Sequence, residues 1–221
     1  MGRKKNLTQR VLIIKTAYAL FLEEGYDAVT TKQIAQTAGM AHSLLHYYYK
    51  TKSDLLTDVM NTLVAKLHSY MRKQGVDLAD KLYAYGMFWR LLFDAITLNR
   101  KLVGLYLPAL TDGLVCQRVT QYAIEKMAPF SPQSIEKVKL APYVLSGATA
   151  QILQLHLDGQ TEMDLKDTIA YVLESFYSAS KMATAWTHAT IGLIDSRMTP
   201  VFVRGFVDEL HAMMEVANPN D

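Results

Sequence analysis

A single cysteine, Cys116, stands in a chain of 221 residues. It cannot close an internal disulfide, so a reducing cytoplasm is the expected setting. Only Arg118 is a basic near neighbour and no resolving cysteine exists, which argues for an inert thiol and against a redox sensor. Long apolar runs are missing too. The basic start "MGRKKNLTQR" leads into "VLIIKTAYALF", where Lys15 and Thr16 interrupt the apolar residues. That pattern is an amphipathic helix, not a signal-peptide core, and no run approaches membrane-spanning length. Low-complexity segments and repeats at a fixed period are absent. So are a nucleophile elbow, a paired carboxylate site and a phosphate loop, which makes an enzyme the least favoured class and leaves no cofactor to expect. His42 and His46 have the i, i+4 spacing of a helical metal site, but no third ligand lies near in sequence and no metal is expected. His68, His156, His188 and His211 are scattered singly.

What is present is apolar and unevenly charged. Half of the residues are hydrophobic, enough for one large domain or a small one joined to a larger one. Residues 1–52 hold eight Lys/Arg against three Asp/Glu, and the remaining 169 hold fifteen against eighteen. A basic head on a mildly acidic body suits a polyanion-binding module carried by something else.

Apolar spacing predicts helices throughout. The first covers Arg10–Glu24 and is stopped by Gly25. Later ones fall at about Ser53–Met71, Asp77–Leu98, Asp112–Met127, Ser134–Leu157, Asp164–Thr184 and Pro200–Val216. Breaks are expected at "QGVD", "LPALTDG", "APFSPQ", "LDGQTEMD" and "SRMTP", all rich in turn formers or caps. Pro142 inside a helical pattern should kink that helix or mark its true start. "VFVRGFV" (Val201–Val207) is β-branched, yet no second strand offers itself as a partner, so it reads as helix. "YAYGMFWRLLFDAI" (Tyr83–Ile96) is apolar on nearly every side and belongs in the middle of a bundle.

Between the first helix and the body lies "TTKQIAQTAGMAHSLLHYYYKTKSDLL". Thr30 and Gln33 fit a capping box, Ile34, Ala35 and Ala38 give a short helix a small inner face, and Gly39 ends it. A second short helix follows over about His42–Tyr48, with Leu45 packing inward. Two short helices round a tight turn, braced by a longer one, make a helix-turn-helix. Thr51 with Asp54 then caps a new helix and puts Lys52 in its first turn, a good place to hold a phosphate.

The stretch "LFLEEGYDAVTTKQIAQTAGMAHSLLHYYYKTKSDLL" resembles the N-terminal signature of the TetR family of bacterial transcriptional regulators. Phe21, Gly25, Tyr26, Thr30, Ile34, Ala35, Ala38, Gly39, Leu45, Tyr47, Tyr49, Lys50, Lys52, Leu55 and Leu56 hold its places, over about residues 10–57. The resemblance implies an all-α chain. Residues 1–52 would form a three-helix DNA-binding domain, and 53–221 a larger helical bundle for ligand binding and dimerisation. It implies that Tyr47 and Lys52 hold phosphates, that Thr31 and Lys32 touch the DNA backbone, and that His42, Ser43, Leu44 and His46 lie where base edges are read. Tyr49 should pack inward. Two departures stand out: Ala41 cannot cap the recognition helix, and Leu44-Leu45-His46 replaces the usual small polar residue followed by Leu-Tyr.

For the body, a set of central-helix aromatics and Met87 suits a cavity for a flat or lipophilic molecule: Tyr83, Trp89, Phe93, Tyr106, Tyr143 and Trp186. Each taken alone reads better as ordinary core. Arg90 would meet an anionic head group or, as the better-favoured reading, pair with Asp94 four residues on. The resemblance places a homodimer interface on two late helices, around Pro142–Leu157 and Asp164–Tyr177, where Ser146, Gly147, Ala150 and Tyr171 are the candidates. The expected protein is a repressor released from a palindromic operator by a small effector. A DNA-binding regulator controlled by a partner protein is the alternative.

Overall fold

The computed structural model describes the backbone of residues 7–127, 135–168, 171–172 and 188–214. Among these the regular elements are all helical, with no strand. No helix among them is long and apolar enough to cross a membrane.

Helix α1 (Leu7–Glu24) buries Ile13, Ala17 and Phe21, spaced one turn apart, along with Ile14 and Tyr18. It stops where Gly25 takes a φ of +85° and its N–H bonds the Phe21 carbonyl at 3.1 Å. Two short helices follow, α2 (Thr31–Thr37) and α3 (His42–Tyr48), and then α4 (Lys52–Lys73). The Thr30 hydroxyl accepts from Gln33 N–H, as the pattern predicts. The reciprocal half of that capping box is not made. The Gln33 side chain turns instead to Glu24, its amide N–H donating to the carboxylate at 2.7 Å, a charge-assisted bond that draws it away from the Thr30 N–H. At Thr51 and Asp54 both halves of the box are present.

Helix α4 is the spine of the molecule. Leu55, Leu56 and Val59 face the head, while Leu63, Leu67 and Met71 continue the same buried stripe into the body. Around it pack α5 (Lys81–Leu98), α6 (Lys101–Thr111), α7 (Gly113–Met127) and α8 (Ile135–Leu157), followed by α9 (His188–Arg197) and α10 (Pro200–Met214). One contiguous hydrophobic cluster joins head and body. In α5, Met87, Leu91 and Phe93 are wholly buried, as the all-round apolar pattern requires.

The expected break at "LPALTDG" falls only at the end of that segment. Helix α6 runs through Pro108 to Thr111, and the chain turns only at Asp112. Asp112 then caps α7, its carboxylate accepting from the N–H groups of Leu114 and Val115 at 3.0 and 3.1 Å. Pro142 does not start its helix, since α8 begins at Ile135. The β-branched "VFVRGFV" is helical because Thr199 caps it and Pro200 sits at the first helical position. Val203, Phe206, Val207 and Leu210 then form its buried face.

Helices α4 and α10 approach closely at Gly205. The Tyr70 hydroxyl donates to the Phe202 carbonyl at 2.8 Å, and a Cβ on Gly205 would lie 2.7 Å from that hydroxyl. Gly205→Ala should therefore cost about 1–2 kcal/mol by overpacking, read by urea denaturation. In a Tyr70→Phe background the cost should largely vanish, because the next nearest atom of that ring stands at 3.7 Å. Equal costs in both backgrounds would assign the loss to helix backbone effects.

Candidate nucleic-acid interface and core cavities

The three tyrosines after the second short helix divide by face. Tyr48 is buried and its hydroxyl donates to Gln9 of α1 at 2.9 Å. Tyr49 is also buried and donates to Asp58 of α4 at 2.6 Å. Burial, reinforced by Asp58, pushes the Tyr49 phenol up, so it remains a donor across the physiological range. Arg10 completes the cluster with an ion pair to the same carboxylate at 2.7 Å. The end of α3 is thus tied to α1 and α4, while Tyr47 keeps 40% of its surface exposed.

The outward face collects most of the residues the sequence marked for DNA. Lys32, His42, Ser43 and Tyr47 are exposed, and so is Lys50. Thr31 Oγ1 lies 3.0 Å from His42 Nε2, joining the starts of α2 and α3. His42 and His46 meet edge to face with ring centroids 4.4 Å apart. Leu44 is half-buried and packs against the core. As expected from Ala41, α3 has no side-chain cap at its start, so no residue-41 side chain covers the first-turn N–H groups.

Lys52 is placed differently from its neighbours. Its ammonium donates to the carbonyls of Tyr26, Val29 and Asp27 at 2.8, 3.0 and 3.4 Å, and stands 4.2 Å from the centre of the Tyr26 ring. Three acceptors occupy all three N–H donors. In this conformation Lys52 braces the loop between α1 and α2 from the first turn of α4.

Polar links tie this head to α6 and α7. Ser53 donates to Asp112 at 2.6 Å, Arg118 pairs with Asp54 at 2.5 Å, and Lys101 pairs with Glu23 at 2.7 Å. Helix α6 is therefore anchored to the head at both ends. The Arg118 hydrogen bond holds the Asp54 carboxyl below its usual range, and Ser53 does the same for Asp112. Carboxyls depressed in the folded state stabilise above their ordinary pKa of 3.8 and lose that contribution as pH falls from there through the lower folded-state value. Arg118→Gln should lower the melting temperature near neutral pH, and the gap from the native chain should begin to narrow below about pH 5 and close only once the pH is under that folded-state value. A gap independent of pH would mean that Arg118 acts through packing alone.

In the body, two apolar cavities lie inside the helices, of about 30 and 40 Å³. Trp89 and Tyr106 of the predicted ligand set line them. Phe93 is buried between these two rings, with centroids 6.1 Å from Trp89 and 6.4 Å from Tyr106. Phe88, Leu92 and Thr120 also reach the cavity walls and were not singled out from sequence, while Cys116, read there as an inert thiol, and Ser146, read as an interface residue, line the larger one. At about 24 cal/mol per Å³, the larger void costs on the order of 1 kcal/mol. Met87 is buried away from both, and Tyr83 is half-buried. Arg90 makes ion pairs with Asp94 at 2.9 Å and with Asp195 of α9 at 2.7 Å. Tyr143 lines a separate open polar cleft of about 510 Å³ with Asn61 and Arg118. Trp186 lies outside the described residues. Of the dimer candidates, Ser146 and Ala150 face the chain's own interior, whereas Gly147 and Tyr171 face outward. Among the described residues no group of three or more His, Cys, Asp or Glu comes together as a metal site.

A small helix-turn-helix head seated on a long helix that continues into a body that is helical among the described residues is the architecture of a helix-turn-helix domain carried on a second, larger unit. Residues 13–59 match the family described as bacterial regulatory proteins, tetR family. That match spans the helix-turn-helix head and the start of α4. It is 29% identical over 83 residues to the transcriptional regulator QacR of Staphylococcus aureus, covering 36% of this chain and 43% of QacR. The chain thus matches less than half the length of that curated relative. The fold is shared with a TetR transcriptional regulator from Rhodococcus (TM-score 0.56, 17% identity, 76% of this chain and 94% of that one). It is shared also with the Thermus thermophilus repressor FadR, solved in complex with lauroyl-CoA (TM-score 0.53, 18% identity, 76% and 92%).

Proposed function

We propose that this chain is a homodimeric DNA-binding transcription regulator, most simply a repressor, whose body answers a small apolar effector. Residues 1–52 act as the DNA-binding domain and 53–221 as the ligand-binding and dimerisation domain. The observation that carries this reading is the divided face of α3. Its inner side is tied to α1 and α4 by Tyr48 and Tyr49, and its outer side presents His42, Ser43 and Tyr47 beside Thr31 and Lys32. A rigid back and a polar, uncapped front suit a helix that docks in a major groove, with Tyr47 and Lys32 on phosphates and the histidines toward base edges. Lys50, exposed at the end of α3, joins the phosphate contacts.

A second copy is the natural cover for the outer face of α8. Val144 and Leu155 are exposed there, with Gly147 and Ala148 between them in sequence, and Tyr171 is exposed as well. Two such chains would read a palindrome with half-sites about one turn apart or more, roughly 34–36 Å or longer. Regulation follows as a population shift. A ligand that spreads α6 from α4 pulls on Ser53 through Asp112 and on Glu23 through Lys101, which moves the two heads out of groove register. Such a ligand must bind the shifted state more tightly than the DNA-bound one.

The small size of the enclosed cavities favours a second reading, in which a partner protein controls the body and no small molecule enters. One experiment addresses both. Fluorescence anisotropy of the protein with DNA upstream of its own gene, at two salt concentrations and beside an unrelated duplex, should show a clear margin for the upstream DNA. Equal, weak and steeply salt-dependent binding to both duplexes would remove the specific-regulator reading. With binding established, release by apolar small molecules separates an effector from a partner protein.

A further inference from the structure

The two enclosed cavities share four walls, Met60, Leu63, Leu92 and Tyr106. Tyr106 is the only ring among them. One cavity extends toward α10 at Phe206 and Leu210, and the other toward α7 and α8 at Val119, Thr120 and Ser146. Tyr106 is only partly buried by surface area, and its ring reaches both cavities from α6. Burial pushes its phenol well up. Among the described residues, no Asp, Glu, Lys, Arg or His side chain lines either space. The polar atoms available are neutral and sit on one side: Thr120 and Ser146, both buried, and Cys116, whose sulfur lies 4.0 Å from the Thr120 hydroxyl.

We propose that the Tyr106 ring is a movable partition, and that its displacement joins the two cavities into one elongated site for an uncharged, largely apolar molecule with a single hydrogen-bonding group at the α7–α8 end. This rests on the effector reading above and names its ligand class. A charged head would lose its hydration with no opposite charge to meet, so neither anions nor cations fit. A neutral aromatic or chain molecule gains contact along Leu92, Met60 and Phe206 on one side and reaches Thr120 or Ser146 on the other. Because Tyr106 sits on α6, which is tied to the head through Lys101 and Asp112, the movement that opens the site also loads those links.

The test uses two probes with the same ring system, neutral N-phenyl-1-naphthylamine and its sulfonated relative 8-anilino-1-naphthalenesulfonate. Trp89 is the reporter for energy transfer, with Trp186→Phe as background. Tyr106→Ala should bind the neutral probe at least tenfold more tightly than the native chain and gain nothing for the sulfonate. Tyr106→Leu keeps the site apolar and serves if the alanine variant fails to fold; a gain of a few-fold, again confined to the neutral probe, is expected. Thr120→Val should weaken the neutral probe several-fold in either background. Equal gains for both probes, or no gain from either Tyr106 variant, would overturn the proposal. If the gain appears while DNA affinity is unmoved by the probe, the joined site stands and the effector reading fails. If DNA binding is specific but no variant gains probe affinity, the partition fails alone.

Discussion

Lys52→Ala is expected to lower the stability of the chain by about 3 kcal/mol, while leaving the salt dependence of DNA binding almost unchanged. The side chain in question looks from sequence like a phosphate contact, in the first turn of a helix just after a recognition helix. Its ammonium is instead held by three backbone carbonyls, of Tyr26, Asp27 and Val29, and lies against the Tyr26 ring. Hydrogen bonds to a charged donor contribute about 1.5–3 kcal/mol each, and three on one nitrogen are far from additive. Truncation also leaves those carbonyls without their donor in a partly buried loop. The loop sets the start of α2, where Thr31 and Lys32 stand, so operator affinity should fall through altered geometry. A lost phosphate contact behaves otherwise: affinity falls on every sequence and the salt slope drops by about 1. Urea denaturation and binding at several salt concentrations separate the two. A slope lower by about 1 with little change in stability would return Lys52 to the phosphate contacts.

That case shows where sequence reading ends. The position of Lys52 within a capped first turn was legible, because the cap and its partner Asp54 are three residues apart. The carbonyls it meets lie 23 to 26 residues earlier, on a loop whose return depends on α1 packing against α4. The same division recurs elsewhere. The i, i+4 partner of Arg90 was visible as Asp94, but Asp195, 105 residues away, was not. Gln33 had the spacing for a reciprocal cap, yet Glu24 offered a charged acceptor from the end of the preceding helix. Pro108 and Asp112-Gly113 together look like a loop. The proline falls in the closing part of α6 and the aspartate is the cap of α7, so a turn signal was real and placed a few residues too early. On α8 the small residues were evident, but not the rotation that turns Ser146 and Ala150 inward and leaves Gly147 outside. Local periodicity carries helix type and the head's motif. Side-chain direction on a helix buried from two sides does not follow from it.

The second large effect is expected at the two histidines of α3. His42→Ala and His46→Ala should each weaken operator binding by about 1–3 kcal/mol while leaving affinity for an unrelated duplex within a factor of about two. The reason is their setting. Neither ring is needed to hold α3 in place, since Leu45, Tyr48 and Tyr49 do that from the opposite side. His42 is oriented by Thr31 Oγ1 at 3.0 Å, and His46 rests edge to face on His42 with centroids 4.4 Å apart. Two rings fixed by each other and by α2 lose little freedom on binding, so their polar edges are well suited to discriminate between bases. Thr31→Val keeps the shape of residue 31 but removes the oxygen that holds His42. It should therefore reproduce part of the His42→Ala loss, and in the His42→Ala background it should add little, the pattern expected of coupled residues. Tyr47→Phe is the contrast: loss of a phosphate contact should reduce affinity on all duplexes alike. Should the histidine variants lose as much on unrelated DNA as on the operator, this edge of α3 would be a phosphate-binding edge. Base reading would then fall to Ser43 and the half-buried Leu44, the remaining residues of α3 at that face.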